Sequence, residues 1–319
     1  MIRLAFSAAI SNRHLPRGKR ALVLLKQAQS SPIKVGDCAK SFTFILLFIL
    51  DELSYDKFNK YYKRIYRLEA DITISGKNQQ VAKSSFALGP AFKNEFPEVE
   101  EFVRFLSIDN SFLRYNDKRF YEEMLYYADS TVFNVFTYHF IKGTPQHALA
   151  NKNSIVLTES LAKKYFGNED PMFKIMNLGN RFNCEVMGVI EDVPSNSHFR
   201  FDAVSARNNL PKQFGTWGNF GVFTYLMFPE DFDVKTFETK IQGMYDAHMK
   251  TIFEPLKIKI EYILEPITKI HLYSTNANEP EPTGSITYVI IFGIVALFLI
   301  LIAEMNYMNL ATARSTSRA

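Results

Sequence analysis

No glycine-rich phosphate loop is present: neither GxGxxG nor GxxxxGK[ST] occurs in the 319 residues, so the chain has no P-loop of its own with which to bind ATP. Cysteine is nearly absent. Cys38 and Cys184 are too few for a disulfide scaffold, and an exported domain of this size buries enough apolar surface to fold without one. The six histidines (His14, His139, His147, His198, His248, His271) are scattered, with no i,i+4 pair and no cysteine partner, which removes the usual zinc signatures. Repeats and low-complexity tracts are also missing. Residues 1–10 carry one arginine and a brief apolar patch, too short for a secretory h-region, so no cleaved signal peptide is expected.

Long charge-free runs are equally scarce, and the one that exists dominates the reading. Residues 286–303, ITYVIIFGIVALFLILIA, hold no charge over about 27 Å of helix, enough with their flanks to cross a hydrocarbon core of about 30 Å. Tyr288 and Tyr307 near its ends suit interfacial anchoring. Glu304 abuts the run and is expected to reach water at the cytoplasmic edge. A second apolar stretch, SFTFILLFIL at 41–50, is short for a span and stops at Asp51-Glu52. The lysines and aspartate just before it would each cost about 2.5–3.5 kcal/mol at a membrane centre, so it reads as the remnant of a first span.

Charge sets the expected topology. Residues 1–40 hold eight Lys or Arg against the single acid Asp37, and Arg314 and Arg318 follow the long run. Between them, residues 41–303 carry 27 basic and 31 acidic side chains. The positive-inside rule then puts both termini in the cytoplasm and the intervening domain outside. The net +4 is accordingly a topological signal and no argument for nucleic acid.

The exterior segment reads as α+β, a mixed domain in one or two lobes bracketed by transmembrane helices. Residues 64–75 suggest a strand running into a turn at Gly76, 85–96 a helix ended by Pro97, and 102–108, 111–115 and 119–127 strands with a tight turn at Asn116-Asp117. Thr158 is a candidate N-cap for a helix over 159–166 closed by Gly167. Strands are expected at 154–157, 184–191, 223–228 and 256–267, with a helix over 234–250. The aromatic-rich stretch 120–140 reads as core rather than interface.

Catalytic constellations fail one by one, and no catalytic, cofactor-binding or metal residue is assigned. Ser160-Leu-Ala-Lys163 matches the SxxK pattern of acyl-serine enzymes, but neither SDN nor KTG follows, and a surface helix with Leu161 inward and Lys163 and Lys164 solvated accounts for it. The acidic pairs Asp51-Glu52 and Glu191-Asp192 are sequence neighbours whose side chains diverge, unsuited to acid/base work.

Four blocks in order carry a resemblance: DELSYDKF at 51–58 followed by RIYRL, SIVLTESLAKKYFGNEDP at 154–171, GVIEDVPSNSHFRFD at 188–202, and ITYVIIFGIVALFLILIAEMNYMNLATARS at 286–315. Over about residues 43–319 the chain resembles an ABC-transporter permease of the MacB/FtsX-like family. The resemblance implies an atypical basic segment at 1–40, a first-span remnant at 41–50, a MacB-like periplasmic core domain at 51–285, a second span at 286–307 and the start of a cytoplasmic segment at 308–319. It further implies no enzyme and no cofactor, ATP being bound by a cytoplasmic ABC ATPase. The other implied partners are a second permease subunit, a periplasmic adaptor or lipoprotein, and the lipid bilayer of a bacterial inner membrane. Such permeases have four spans, so a chain stopping at Ala319 is expected to be a piece that does not couple to ATP hydrolysis alone. Two departures stand out: Phe173 lies where relatives usually have a small residue or glycine turn, and Glu304 where a small or thiol residue is common. Two spans around an exterior domain are also the plan of a membrane-anchored sensor, the alternative reading.

Overall fold

The computed structural model describes residues 35–108, 111–206 and 216–316. The basic N-terminal segment as far as residue 34, His14 included, and residues 317–319 lie outside the described residues. Helices longer than one turn are α1 (Val35–Leu53), α2 (Leu88–Glu95), α3 (Glu159–Phe166), α4 (Val234–His248), α5 (Ile267–Tyr273) and α6 (Ile286–Thr316). Strands are β1 (Ile65–Ile74), β2 (Lys77–Val81), β3 (Ser84–Ser85), β4 (Glu101–Ser107), β5 (Ser111–Tyr115), β6 (Lys118–Glu122), β7 (Leu125–Ala128), β8 (Phe140–Gly143), β9 (Ser154–Thr158), β10 (Ile175–Leu178), β11 (Phe182–Ile190), β12 (Ala203–Ala206), β13 (Phe220–Met227) and β14 (Ile258–Pro266). Two compact units result: a helical one, described over 35–54 and 284–316, and a mixed one, Tyr55–Thr283.

Among the described residues, α6 alone is long and apolar enough to cross a membrane, over Ile286–Ala313. Only 11% of its most apolar window is buried within the chain, which leaves a long apolar surface that lipid or other helices would cover. The helix runs past residue 307, and Glu304 is exposed within the apolar stretch. Bracketing by two such helices is not met among the described residues, because α1 carries Asp37, Lys40, Asp51 and Glu52 within its nineteen residues. The ten-residue apolar stretch is instead the middle of α1. Within the helical unit Phe48 packs edge-on against Phe292 at 5.2 Å, and Gly293 lets Ile49 approach.

The mixed unit is α+β. Its strands join in the order β14-β1-β13-β4-β7-β12-β9-β11-β10-β5-β6, with β2 on β1, β3 on β13 and β8 on β11. The β7–β12 and β9–β11 pairs are parallel and the rest antiparallel. At one end α2 and α4 cover the sheet: Phe237, Ile241, Met244 and Tyr245 of α4 recur at helical spacing and bury against Leu68, Phe92, Leu226 and Leu264. At the other, Leu161, Ala162, Tyr165 and Phe166 of α3 pack on Leu113, Ile155 and Val186. An aromatic cluster of Phe105, Tyr126, Phe136, Phe199, Phe201 and Tyr225 lies between. Both helices start as their sequences dictate, Asp233 accepting from the Lys235 and Thr236 amides and Thr158 from that of Leu161, and Gly167 ends α3 at φ +63°.

Strand β1 is buried on both faces, which its sequence conceals. Leu68 and Ala70 join the α4 core, whereas Ile65 belongs with the central cluster, on the face that also carries Arg67 and Glu69. The stretch expected as one strand at 119–127 is two, β6 and β7, and the aromatic segment 120–140 is divided: Tyr126, Tyr127 and Phe136 are buried, Phe120 and Tyr121 exposed.

Candidate functional site: a buried polar seam in the mixed unit

Arg67 is the largest fully buried side chain in the described structure. Its position in the pleat explains why it matters. It lies opposite Tyr225 on β13 and Glu265 on β14, so the three share one face at the middle of the sheet. A guanidinium there must be paired. Nε and Nη2 donate to Glu69 Oε1 at 3.0 Å and 2.6 Å, and Nη1 and Nη2 fork onto the two carboxylate oxygens of Glu279 at 2.6 Å and 2.5 Å. Ser274 Oγ also donates to Glu279. Burial alone works against the charge, but the Glu279 hydrogen bond and the carboxylate charges of Glu69 and Glu279 outweigh it and hold Arg67 above its ordinary pKa. Burial raises the Glu265 carboxyl, with the Glu69 charge adding to it.

The seam continues through Tyr225. Its hydroxyl and His198 Nε2 share a hydrogen bond of 2.8 Å, and burial lifts the phenol far above its ordinary value although Arg67 pulls the other way. On the far side, His198 Nδ1 sits 2.8 Å from Asp56 Oδ1, without hydrogen-bond alignment. The same oxygen accepts the His198 amide at 3.2 Å, and the Asp56 amide donates to Asn196 O at 2.9 Å. Asp56 adopts φ +61°, a conformation that Asp tolerates better than most residues. Next to it, Tyr55 stacks on His271 at 3.5 Å and 14°.

Two of the sequence blocks therefore meet here, Asp56 from DELSYDKF and His198 from SNSHFRFD. Another pair meets at α3. The Ser160 amide and hydroxyl both donate to the Asp192 carboxylate, which caps the helix. That hydroxyl is engaged by an acid, so the SxxK reading of Ser160 and Lys163 gains no support from the geometry. Lys164, read as solvated, instead holds the buried Glu122 at 2.7 Å, and Glu122 also accepts from Tyr165. Cys184 is buried beside Ser205, and burial raises its thiol away from reactivity. Among the described residues no group of three or more His, Cys, Asp or Glu is arranged to hold a metal.

Arg67, Tyr225 and Glu279 were not singled out from the sequence. The available signal is an arginine and a glutamate, two apart and so on one face of a strand whose neighbouring positions 65, 68, 70 and 72 are apolar.

The sequence model of one family, described as the MacB-like periplasmic core domain, matches residues 41–243, more than half of the chain. The chain belongs to that family. It is a member of the MacB/FtsX-like permeases, and the expected kinship is correct. Among solved structures, a domain of a putative permease protein from Porphyromonas gingivalis aligns with TM-score 0.59 at 21% identity, covering 65% of this chain and 91% of that one, which supports the fold. The periplasmic region of MacB from Actinobacillus actinomycetemcomitans aligns at TM-score 0.42 and 18% identity over 61% of this chain and 87% of that one. The extracellular domain of the noncanonic ABC-type transporter YknZ from Gram-positive bacteria gives 0.43 and 17% over 62% and 98%. No curated protein matches the chain by sequence.

Proposed function

We propose that this MacB-like protein is a permease subunit of an ABC-type exporter or mechanotransmission complex. A partner ATPase hydrolyses ATP in the cytoplasm, and a second permease subunit completes the pair. The mixed unit moves on the periplasmic side of the bacterial inner membrane and acts on a peptide, lipoprotein, lipid or hydrophobic compound, alongside an adaptor or lipoprotein. Helix α6 spans the membrane and α1 is embedded through its apolar middle. The subunit is no enzyme and holds no cofactor.

The observation that carries this reading, beyond the family, is where the seam is fastened. Asp56 follows soon after α1 ends at Leu53, and Glu279 precedes α6 at Ile286. Asp56 accepts from the His198 amide, His198 shares a hydrogen bond with the Tyr225 hydroxyl, and Arg67, which grips Glu279, stands opposite Tyr225 across the β1–β13 ladder. A pull delivered through either connecting segment is thus carried to the centre of the sheet rather than lost in a loose linker. Packed interiors transmit such displacement because they deform little.

The test is reconstitution in nanodiscs of the native four-span permease expected to carry this sequence, with the ABC ATPase that co-purifies with it. Spin labels at exposed Lys77 and Tyr121 should report an ATP-dependent distance change within the mixed unit or between two copies. If no ATPase co-purifies, or if ATP leaves every distance unchanged, the reading fails.

A further inference from the structure

We infer that strand β6 is an open sheet edge that pairs with the β6 of a second copy of this chain. Among the described residues β6 is the last strand of the sheet, hydrogen-bonded to β5 alone, and four of its five residues are exposed. Its register shows what that edge offers. Tyr115 and Lys118 close the two-residue turn at Asn116-Asp117, so residues 118, 120 and 122 spend their backbone groups on β5. Phe112 O, which accepts from Gly179 N at 2.9 Å, points the other way, as this alternation requires. The N–H and C=O groups of Arg119 and Tyr121 are therefore the ones turned outward.

Edge strands are usually blunted by proline, a bulge or a charge standing across the edge. None of these guards β6. It contains no proline and its pairing with β5 is regular. Its two cations are occupied on the faces of the hairpin: Arg119 lies 3.6 Å from the Phe112 ring centroid, and Lys118 Nζ donates to Tyr165 O. Tyr121 is 72% exposed and Phe120 41%.

The sequence of the strand, KRFYE, is complementary to itself when reversed. An antiparallel pair centred on Phe120 sets Arg119 opposite Tyr121 of the second copy and joins the outward groups of 119 and 121 in hydrogen-bonded pairs, while Lys118 and the buried Glu122, opposite each other in this register, keep their partners Tyr165 and Lys164 on their own chain. A shift by two residues in one direction puts Arg119 against Arg119. A shift in the other puts Phe120 against Glu122. Charge and hydrogen bonding thus select one register and one occupant. A single strand pair buries less than the roughly 1,200 Å² of a stable interface, so it forms when a bilayer already concentrates two copies.

The test uses the full chain in lipid vesicles with Cys38→Ser and Cys184→Ala. Under mild oxidation Phe120→Cys should give a covalent dimer at least tenfold faster than Arg119→Cys, Tyr121→Cys or Lys77→Cys on β2. Tyr121→Pro, which deletes one outward N–H, should bring that rate down to the Lys77→Cys level while the far-UV spectrum stays unchanged. A nitroxide at Asp117→Cys, which leaves β6 intact, should report a separation of about 20 Å between copies, six residues of extended chain. Equal rates at all four positions, faster linkage at Arg119→Cys or Tyr121→Cys, insensitivity to Tyr121→Pro, or linkage of Phe120→Cys to a different protein in native membranes each overturns the pairing. The proposal does not rest on the transport reading, and these readouts require no ATP, so either can fail alone.

Discussion

Arg67 grips Glu279, 212 positions further along the chain, with two guanidinium nitrogens. Removing one partner from a buried ion pair costs more than never having built it, because the other charges stay behind undischarged. Arg67→Met should therefore lose about 3–5 kcal/mol, leaving Glu69 and Glu279 facing each other. Arg67→Lys keeps the charge but not the fork, and should recover only part of the loss. Arg67→Met with Glu69→Gln and Glu279→Gln should recover more than Arg67→Lys does. Urea unfolding followed by circular dichroism reads all three; a single mutant within 1 kcal/mol of wild type would mean that water reaches the seam.

Asp202 tests the sign of a smaller electrostatic effect. Burial raises its carboxyl pKa and the Glu122 charge adds to that, against a weaker opposing pull from Lys164. A carboxyl raised on folding binds more protons folded than unfolded between the ordinary carboxylate range and its raised value, so its charged form costs stability above that window. Asp202→Asn should raise the melting temperature at pH 7–8, and the gain should shrink as pH falls through the window. A constant gain across that range would trace the effect to hydrogen bonding instead of charge.

Much of the local fold was legible because it is written in short-range chemistry. Thr158, Gly167 and Pro97 mark helix ends through capping and backbone restriction, and the Asn116-Asp117 turn is visible between two alternating runs. What stayed hidden depends on distant partners. Arg67 and Tyr225 are placed by strand order, and nothing near either residue names Glu279 or His198 as its neighbour. The four-residue strands β10 and β12 are held by the sheet around them and carry no periodic signal of their own. Asp192 and Ser160 each stand in a catalytic-looking pattern in the sequence; that one caps the other's helix depends on the parallel β9–β11 pairing that brings their elements side by side.

Gly143 provides a steric prediction. It ends β8 at φ +80°, and a Cβ there would stand 2.4 Å from Met187 O and 3.0 Å from Gly188 Cα. Both obstacles are backbone on β11, which cannot swing aside as a side chain would. Gly143→Ala should cost more than about 2 kcal/mol, combining left-handed strain with the clash. Gly76→Ala has φ +80° but nothing within 4 Å, and should cost only the strain of about 1 kcal/mol. Equal losses in the two variants, measured by thermal melting, would show that β8 moves off β11 to make room.

Ser160 separates a capped helix from an acyl-serine centre. If its hydroxyl serves Asp192, Ser160→Ala should lose about 1 kcal/mol and Asp192→Ala at least as much, while the exposed Lys163→Ala changes stability little. An activated serine would instead be labelled by a fluorophosphonate probe in a manner abolished by Lys163→Ala. The expected result is no labelling of the native chain, with the stability ranking following Asp192 and not Lys163.

Phe173 holds a left-handed backbone conformation that its side chain does little to support. It sits at φ +62° with its side chain 64% exposed, while its amide donates to Val186 O at 2.8 Å. A large side chain in the left-handed region costs about 1–2 kcal/mol, and little burial offsets it here. Glycine would remove the strain but loses more entropy on folding, by about 0.5–1 kcal/mol. Phe173→Gly should therefore be neutral to about 1 kcal/mol stabilising, whereas Phe173→Ala, which keeps a Cβ at the same φ, should gain nothing. If both substitutions destabilise by more than 1 kcal/mol in urea, the exposed ring contributes packing that outweighs the backbone, and the reading of this turn as a glycine position is wrong.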